Sequence, residues 1–218
     1  MTAYFVKRLG GLIFMTLKYL AIFLGAYVLG SLSLSIIVSS KLFGGDIRGM
    51  GSGNAGATNM ARVFGWTAGL LTLAGDAAKA ILAMLAGNAL AGDIGLALAG
   101  FGCILGHCFP VLHGFKGGKG VSVGGAIAFG IDWRVGLAVV GAFLLGALLS
   151  KKVSLGSICG ALAITVSSVI LGMSVPKLVL AAASMTLVIL RHRANIGRLI
   201  AGTEPDFRAG KSQKMKKK

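Results

Sequence analysis

Acid is what this chain has least of: six Asp and Glu stand against 22 Lys and Arg in 218 residues, for a net charge of +16. Charged residues are 13% of the sequence, where a soluble globular domain averages about 25%. That shortage speaks against a soluble cytosolic enzyme, and a hydrophobic share of 56% excludes a disordered chain. Cysteine is scarce too. Cys103, Cys108 and Cys159 form no CxxC pair and sit in or beside apolar runs, which argues for small packing residues and against a disulfide framework. Only Asp46, Glu204 and Asp206 are acids near the polar face, too few to hold Mg²⁺ securely, so no metal or other cofactor is expected. The sequence has no defensible repeat, no soluble second domain and no clear secretory cleavage site after Lys7-Arg8. A polytopic membrane protein and a basic nucleic-acid binder survive these exclusions.

The distribution of charge separates the two. Long apolar runs cover Leu20 to Val38, Trp66 to Leu90, Ile94 to Pro110, Val121 to Ile131, Val135 to Leu149, Val153 to Met173 and Val175 to Leu190. A membrane core of about 30 Å takes about 20 helical residues. Seven membrane segments are therefore expected, some short and the fourth the least secure. The fold class is an all-α integral membrane protein, a compact bundle of about seven transmembrane helices. Burying seven apolar runs leaves a nucleic-acid binder little support.

Alternate gaps divide the cations. Lys41, Arg48, Arg62, Lys116, Lys119, Lys151, Lys152 and everything from Arg191 onward make 16; Lys7, Arg8, Lys18, Arg134 and Lys177 make five; Lys79 lies within a segment. The larger group is expected in the cytoplasm, putting the N-terminus outside and the C-terminus inside. Residues 1–200 form the membrane domain and 201–218 a basic tail, whose five lysines from Lys211 to Lys218 suit a solvated arm near anionic lipid. Among the 35 glycines, Gly102-xxx-Gly106, Gly120-xxx-Gly124 and Gly156-xxx-Gly160 suit close helix packing.

The inside gaps are longer than connections need and rich in Gly, Asn, Thr, His and Arg. The first, Gly51 to Arg62, holds a literal GxGxxG at Gly51, Gly53 and Gly56, but no βαβ unit surrounds it, so it is no dinucleotide fingerprint. Its Gly-rich backbone with Ser52, Asn54, Thr58, Asn59 and Arg62 suits an anion. The second carries Lys116-Gly117-Gly118-Lys119-Gly120 before an apolar helix, which suits phosphate without matching the GxxxxGK[ST] spacing of an ATPase. The third, Ser150 to Ser157, is weak alone. In the fourth, helical spacing puts His192 and Asn195 on one face with Arg191 and Arg198 a turn to either side. Asp76 and Lys79, three apart inside the second run, form an intramembrane ion pair of either structural or functional meaning.

Together these gaps resemble the three motifs of the PlsY family, bacterial membrane acyltransferases that use acyl-phosphate. The stretches Gly51 to Gly65, Gly106 to Val121 and Arg191 to Glu204 match in order and separation, and the resemblance spans nearly the whole chain. Ser122-Val123 stands where Ala-Thr is usual, and Ala80 where Gly often follows the intramembrane Lys. The resemblance implies transfer of a fatty acyl group from acyl-phosphate to the 1-hydroxyl of sn-glycerol 3-phosphate. The products are lysophosphatidic acid and phosphate, in the first committed step of phospholipid synthesis at the bacterial inner membrane. It implies Ser52, Arg62, His192 and Asn195 as important for activity, Gly117, Gly118 and Gly120 for glycerol-phosphate binding, Ser157 at the phosphate site and Glu204 as structural.

The residue types fit that chemistry. Ser52 and Thr58 can donate hydrogen bonds, while Arg62 and Lys119 would hold the departing phosphate. Arg191 and Arg198 add positive charge, with Asn54, Gly56 and Asn59 completing the anion loop. Substrate assistance, with a phosphate of second pKa about 6 taking the hydroxyl proton, is expected, with His192 binding phosphate. No HxxxxD pattern occurs, since Leu112, Gly118 and Gly197 stand five residues after the three histidines, so a thioester-dependent enzyme of that type is disfavoured. The expected partners are the two substrates and the bilayer, with no nucleic acid and a monomeric chain. A phosphate or sugar-phosphate transporter is the alternative; it would need polar groups through the membrane depth, and only Asp76–Lys79 and Ser31, Ser33 and Ser35 offer them.

Overall fold

In lipid a helix satisfies its own backbone, and these apolar runs fold accordingly. The computed structural model describes residues 1–208 and 210, residues 2–7 by backbone alone. The lysine arm expected over 211–218 lies outside the described residues. Among the described residues there is no strand. The helices are α1 (Thr2–Gly30), α2 (Leu34–Val38), α3 (Ala57–Phe64), α4 (Trp66–Cys108), α5 (Val121–Ile131), α6 (Trp133–Ser150), α7 (Val153–Ile170), α8 (Val175–Arg191) and α9 (Arg193–Ile200).

Helix α4 contains two of the expected segments. Ala91 (φ −148°, ψ 26°) and Gly92 (φ 57°, ψ −147°) break it, and the chain doubles back. Gly87 and Gly95 then meet so closely that a Cβ on either would overlap the other's carbonyl. Counting its two halves, α1 and α5 to α8, seven apolar helices answer to the seven runs. Helix α5 has 11 residues and reaches only about 16 Å, roughly half of the hydrocarbon core. Large side chains such as Leu82, Leu85, Leu145, Val169 and Ile170 point outward as a lipid-facing surface, while Met84, Ile104, Val123, Ile127, Val135 and Leu180 fill the interior.

The first segment differs from expectation. Hydropathy predicts it over Leu20 to Val38, yet α1 begins at Thr2, takes in Lys18 and ends at Gly30. The chain breaks at residues 31–33 before resuming as α2 and a π-helical turn, Ser39–Phe43. The cause is tertiary: the Lys79 ammonium donates to the carbonyls of Gly30 (3.0 Å) and Leu32 (2.7 Å), capping the negative end of α1 from another helix.

Two of the three Gly-xxx-Gly pairs pack as expected. A Cβ at Gly102 or Gly106 would strike the α1 carbonyls of Phe23 or Tyr27, and one at Gly156 would strike Phe143 of α6. The Gly120–Gly124 pair does not do this. Gly120 lies outside the helix at φ 83° as the N-cap of α5, and nothing comes within 3.8 Å of a Cβ on Gly124.

Candidate active site

The four polar gaps meet at one end of the bundle. In the first, Asn59 is buried on the inner face of α3, and the loop is wound around its amide. Its Nδ2 donates to the carbonyls of Met50 (2.9 Å), Asn54 (3.0 Å) and Ile47 (3.3 Å), and its Oδ1 accepts from the Ser52 backbone N–H (2.9 Å). Asn59 therefore shapes the loop, while Ser52, Asn54, Gly56, Thr58 and Arg62 line a cavity beside it. The Arg62 guanidinium makes no hydrogen bond or ion pair among the described residues. Gly51 sits at a positive φ of 57°, which favours glycine, and a Cβ there would also overlap the Asn59 amide.

The second gap is braced from α8. Arg191 donates through Nε to the Gly118 carbonyl and through Nη2 to the Gly117 carbonyl, both at 3.1 Å, and its guanidinium lies 5.1 Å from the Phe109 ring centroid. The planar fork of arginine suits this two-carbonyl grip. Gly118 also donates its N–H to the His107 carbonyl (3.1 Å). Gly117, Gly118 and Gly120 are buried or half-buried, and Gly117 lines the cavity.

A polar network joins the second gap to the fourth. Lys119 donates to Asn195 Oδ1, Asn195 Nδ2 to Glu204 Oε1 (2.7 Å), and Arg198 Nε to Glu204 Oε2 (2.7 Å). Both ends of the Asn195 amide are thus used to aim Lys119, and Glu204 anchors the set. Burial opposes the Glu204 charge, but Ser154, Asn195 and Arg198 outweigh it and hold its pKa below the ordinary value. Burial likewise pulls Lys119 below the usual lysine range; Glu204 opposes this and Arg198, Arg191 and Arg62 reinforce it.

His192 sits at the bend between α8 and α9, 3% exposed. Its Nδ1 lies 2.8 Å from the Val188 carbonyl, which can only accept, so Nδ1 carries a proton and Nε2 holds the lone pair of the neutral ring. Burial lowers its pKa against that hydrogen bond, and Lys119 and Arg191 lower it further. A neutral His192 is an acceptor at Nε2.

The cavity holds 1590 Å³ and has two characters. At the polar end lie the residues above with Ser157. From there an apolar furrow runs between α4, α5 and α6, past Leu70, Leu73, Ile81, Phe129, Val140 and Leu144. Three contributors are not legible from sequence. Ser154 and Ser184 face the cavity with buried hydroxyls; that of Ser154 lies beside the Glu204 carboxylate, and that of Ser184 has no hydrogen-bond partner among the described residues. Residues 204–208 line it as well: the Phe207 N–H donates to the Lys151 carbonyl (3.1 Å), its ring packs 5.5 Å from Trp66, and Lys152 holds the Glu204 carbonyl (2.7 Å). Helical serines and a lone tail aromatic give no spacing signal.

Comparison with known proteins agrees with this geometry. A family model described as glycerol-3-phosphate acyltransferase matches residues 20–202. The glycerol-3-phosphate acyltransferase of Jannaschia sp. (strain CCS1) is 42% identical over 181 residues, 83% of this chain and 88% of the relative. That of Trichormus variabilis is 38% identical over 203 residues, covering 85% and 90%. Two crystal structures of PlsY (YgiH), an integral membrane glycerol 3-phosphate acyltransferase, share the fold. The glycerol 3-phosphate form has a TM-score of 0.83 at 35% identity, covering 87% of this chain and 96% of that one. The lysophosphatidic acid form has 0.81 at 33%, covering 87% and 95%. A multi-pass membrane bundle with its polar loops gathered at one end, the chain belongs to the glycerol-3-phosphate acyltransferase family.

Proposed function

We propose that this acyltransferase takes its acyl group from acyl-phosphate and passes it to the 1-hydroxyl of sn-glycerol 3-phosphate, releasing lysophosphatidic acid and phosphate. The observation that carries the reading is one cavity in which a cation-rich end, with the Arg62 guanidinium unengaged among the described residues, opens into an apolar furrow. A donor with a charged leaving group and a fatty tail fits such a space. Cation asymmetry supports a cytoplasmic position for this end at a bacterial inner membrane, with the N-terminus outside.

Arg62 and Lys119 hold the phosphate that departs, and Ser52 and Thr58 add hydrogen bonds. The Gly117–Gly120 loop receives the phosphate of glycerol 3-phosphate. Residue type predicts that His192 binds phosphate, but its tautomer suits a different role, in which the neutral Nε2 accepts from the 2-hydroxyl and orients the glycerol. The 1-hydroxyl oxygen then bonds to the acyl carbon, its proton passes to a substrate phosphate oxygen, and the carbonyl–phosphate bond breaks. Positioning of two bound reactants is the main work, because acyl-phosphate already has a good leaving group.

The test is product analysis with palmitoyl-phosphate or palmitoyl-CoA. Lysophosphatidic acid should form from the first alone; equal turnover of the CoA ester would sink the donor assignment. Removing the 2-hydroxyl, with 3-hydroxypropyl phosphate as acceptor, should abolish most of the difference between wild type and His192→Ala. An unchanged His192→Ala defect on that acceptor would return His192 to the phosphate.

A further inference from the structure

Three buried ionisable residues lie behind the site and take no part in the reaction as derived: Asp76, Lys79 and His107, at 1%, 4% and 3% exposure. Lys79 Nζ lies 2.8 Å from Asp76 Oδ1 and 3.3 Å from His107 Nδ1, and Asp76 Oδ1 is 3.5 Å from the same ring nitrogen. The ammonium also holds the Gly30 and Leu32 carbonyls where α1 breaks. The other edge of the His107 ring faces the second gap: a Cβ on Gly118 would overlap Nε2 and Cε1. The His107 carbonyl takes the Gly118 N–H at 3.1 Å, and His107 borders the cavity.

We propose that Asp76, Lys79 and His107 are positioning residues that set the Gly117–Gly120 loop for the glycerol-phosphate acceptor. An ion pair buried only for packing gains little over an apolar pair of similar volume. This one ties three separate segments together and presents a ring edge to the loop. Lys79 fixes where α1 ends, Asp76 and Lys79 together fix the imidazole, and the imidazole packs against the Gly118 backbone, whose carbonyl Arg191 holds. Only glycine at 118 allows the ring so close. Outer groups that orient a binding element commonly govern affinity without touching the ligand.

The proposal rests on the reading of the Gly117–Gly120 loop as the glycerol-phosphate site, so Gly118→Ala serves as the loop control. Steady-state KM for glycerol 3-phosphate and for palmitoyl-phosphate, kcat and melting temperature are measured for His107→Asn, His107→Gln and Lys79→Met. Asn retains a polar atom near Nδ1 but vacates the edge against Gly118; Gln reaches that edge. His107→Asn should raise the glycerol 3-phosphate KM about tenfold, the scale of losing an outer group that orients a binding element, with the palmitoyl-phosphate KM within about twofold. His107→Gln should restore most of the loss. Lys79→Met should move the same KM further and lower the melting temperature; if it does not fold, the two His107 variants carry the test. Lower stability or kcat with both KM values unchanged, while Gly118→Ala raises the acceptor KM, would make the three residues a structural staple and overturn the proposal. An unchanged acceptor KM in Gly118→Ala would instead remove the loop assignment, and the proposal with it.

Discussion

The two ends of the bundle carry charge in different ways. At the end away from the cavity, the outer end for short, the connections are short, and ion pairs form within or between neighbouring turns. Asp132 binds Arg134 two residues on (2.9 Å), and Asp93 meets Lys177 at 3.3 Å where the α4 and α7–α8 turns lie side by side. Asp132 also caps α6, accepting from the Arg134 backbone N–H. At the end that holds the cavity, the inner end for short, polar contacts join separate gaps: Arg48 to the carbonyl of His113, Lys119 to Asn195, Lys152 to Glu204, Arg191 to Gly117. Contacts of that reach cost chain entropy to close, and they converge on a cavity. Reach along the chain does not by itself separate the ends, since Asp93 and Lys177 are also far apart in sequence; convergence on a cavity does.

Substitutions at the two ends should therefore differ sharply. The largest loss is expected at Arg62 and Ser52, which line the cavity: Arg62→Ala and Ser52→Ala should lower kcat/KM for acyl transfer by about 10³-fold in folded protein, as loss of a donor to developing charge does. Full activity of Arg62→Ala would remove its assignment. Next comes Arg191→Lys, since an ammonium cannot grip two carbonyls in one plane. Activity about tenfold lower, with the change in the acceptor KM, would mark Arg191 as a brace for the loop.

A subtler effect is expected at Glu204. Its folded pKa lies below the ordinary 4.5, so its charge stabilises the fold above pH 4.5, and that contribution is lost as pH falls through the folded value. The melting-temperature gap between wild type and Glu204→Gln should be constant above pH 4.5 and shrink below it. A gap that widens toward acid would contradict the network. The smallest effect belongs to the outer end, where Asp132→Asn should leave transfer within about twofold, as exposed pairs contribute little.

Much of this contrast is legible in the sequence. Apolar runs locate seven helices, and the excess of Gly, Asn, His and Arg in alternate gaps singles out the end that holds the cavity. What hydropathy cannot show depends on distant partners. The break in α1 at 31–33 exists because Lys79, almost fifty residues on, captures two carbonyls there. Asn59 and Asn195 have the chemistry of ligand-binding residues, yet both amides are spent inside the protein, one winding a loop and one aiming Lys119. Nothing in residue type distinguishes an amide that faces a ligand from one that faces a backbone. Phe207 against Trp66 is the same kind of case, a contact with no periodicity to announce it.

Equilibrium binding of palmitoyl-phosphate, without the acceptor, to detergent-solubilised wild type, Arg62→Ala and Arg134→Ala tests most directly whether the gathered inner gaps are the anion site. Both substitutions delete one arginine from a helix of the same molecule, at opposite ends. The expected result is affinity reduced more than about tenfold by Arg62→Ala and unchanged by Arg134→Ala. Wild-type affinity in Arg62→Ala, or an equal loss in Arg134→Ala, would mean that the inner end binds the substrate no more specifically than any other cation of a basic protein.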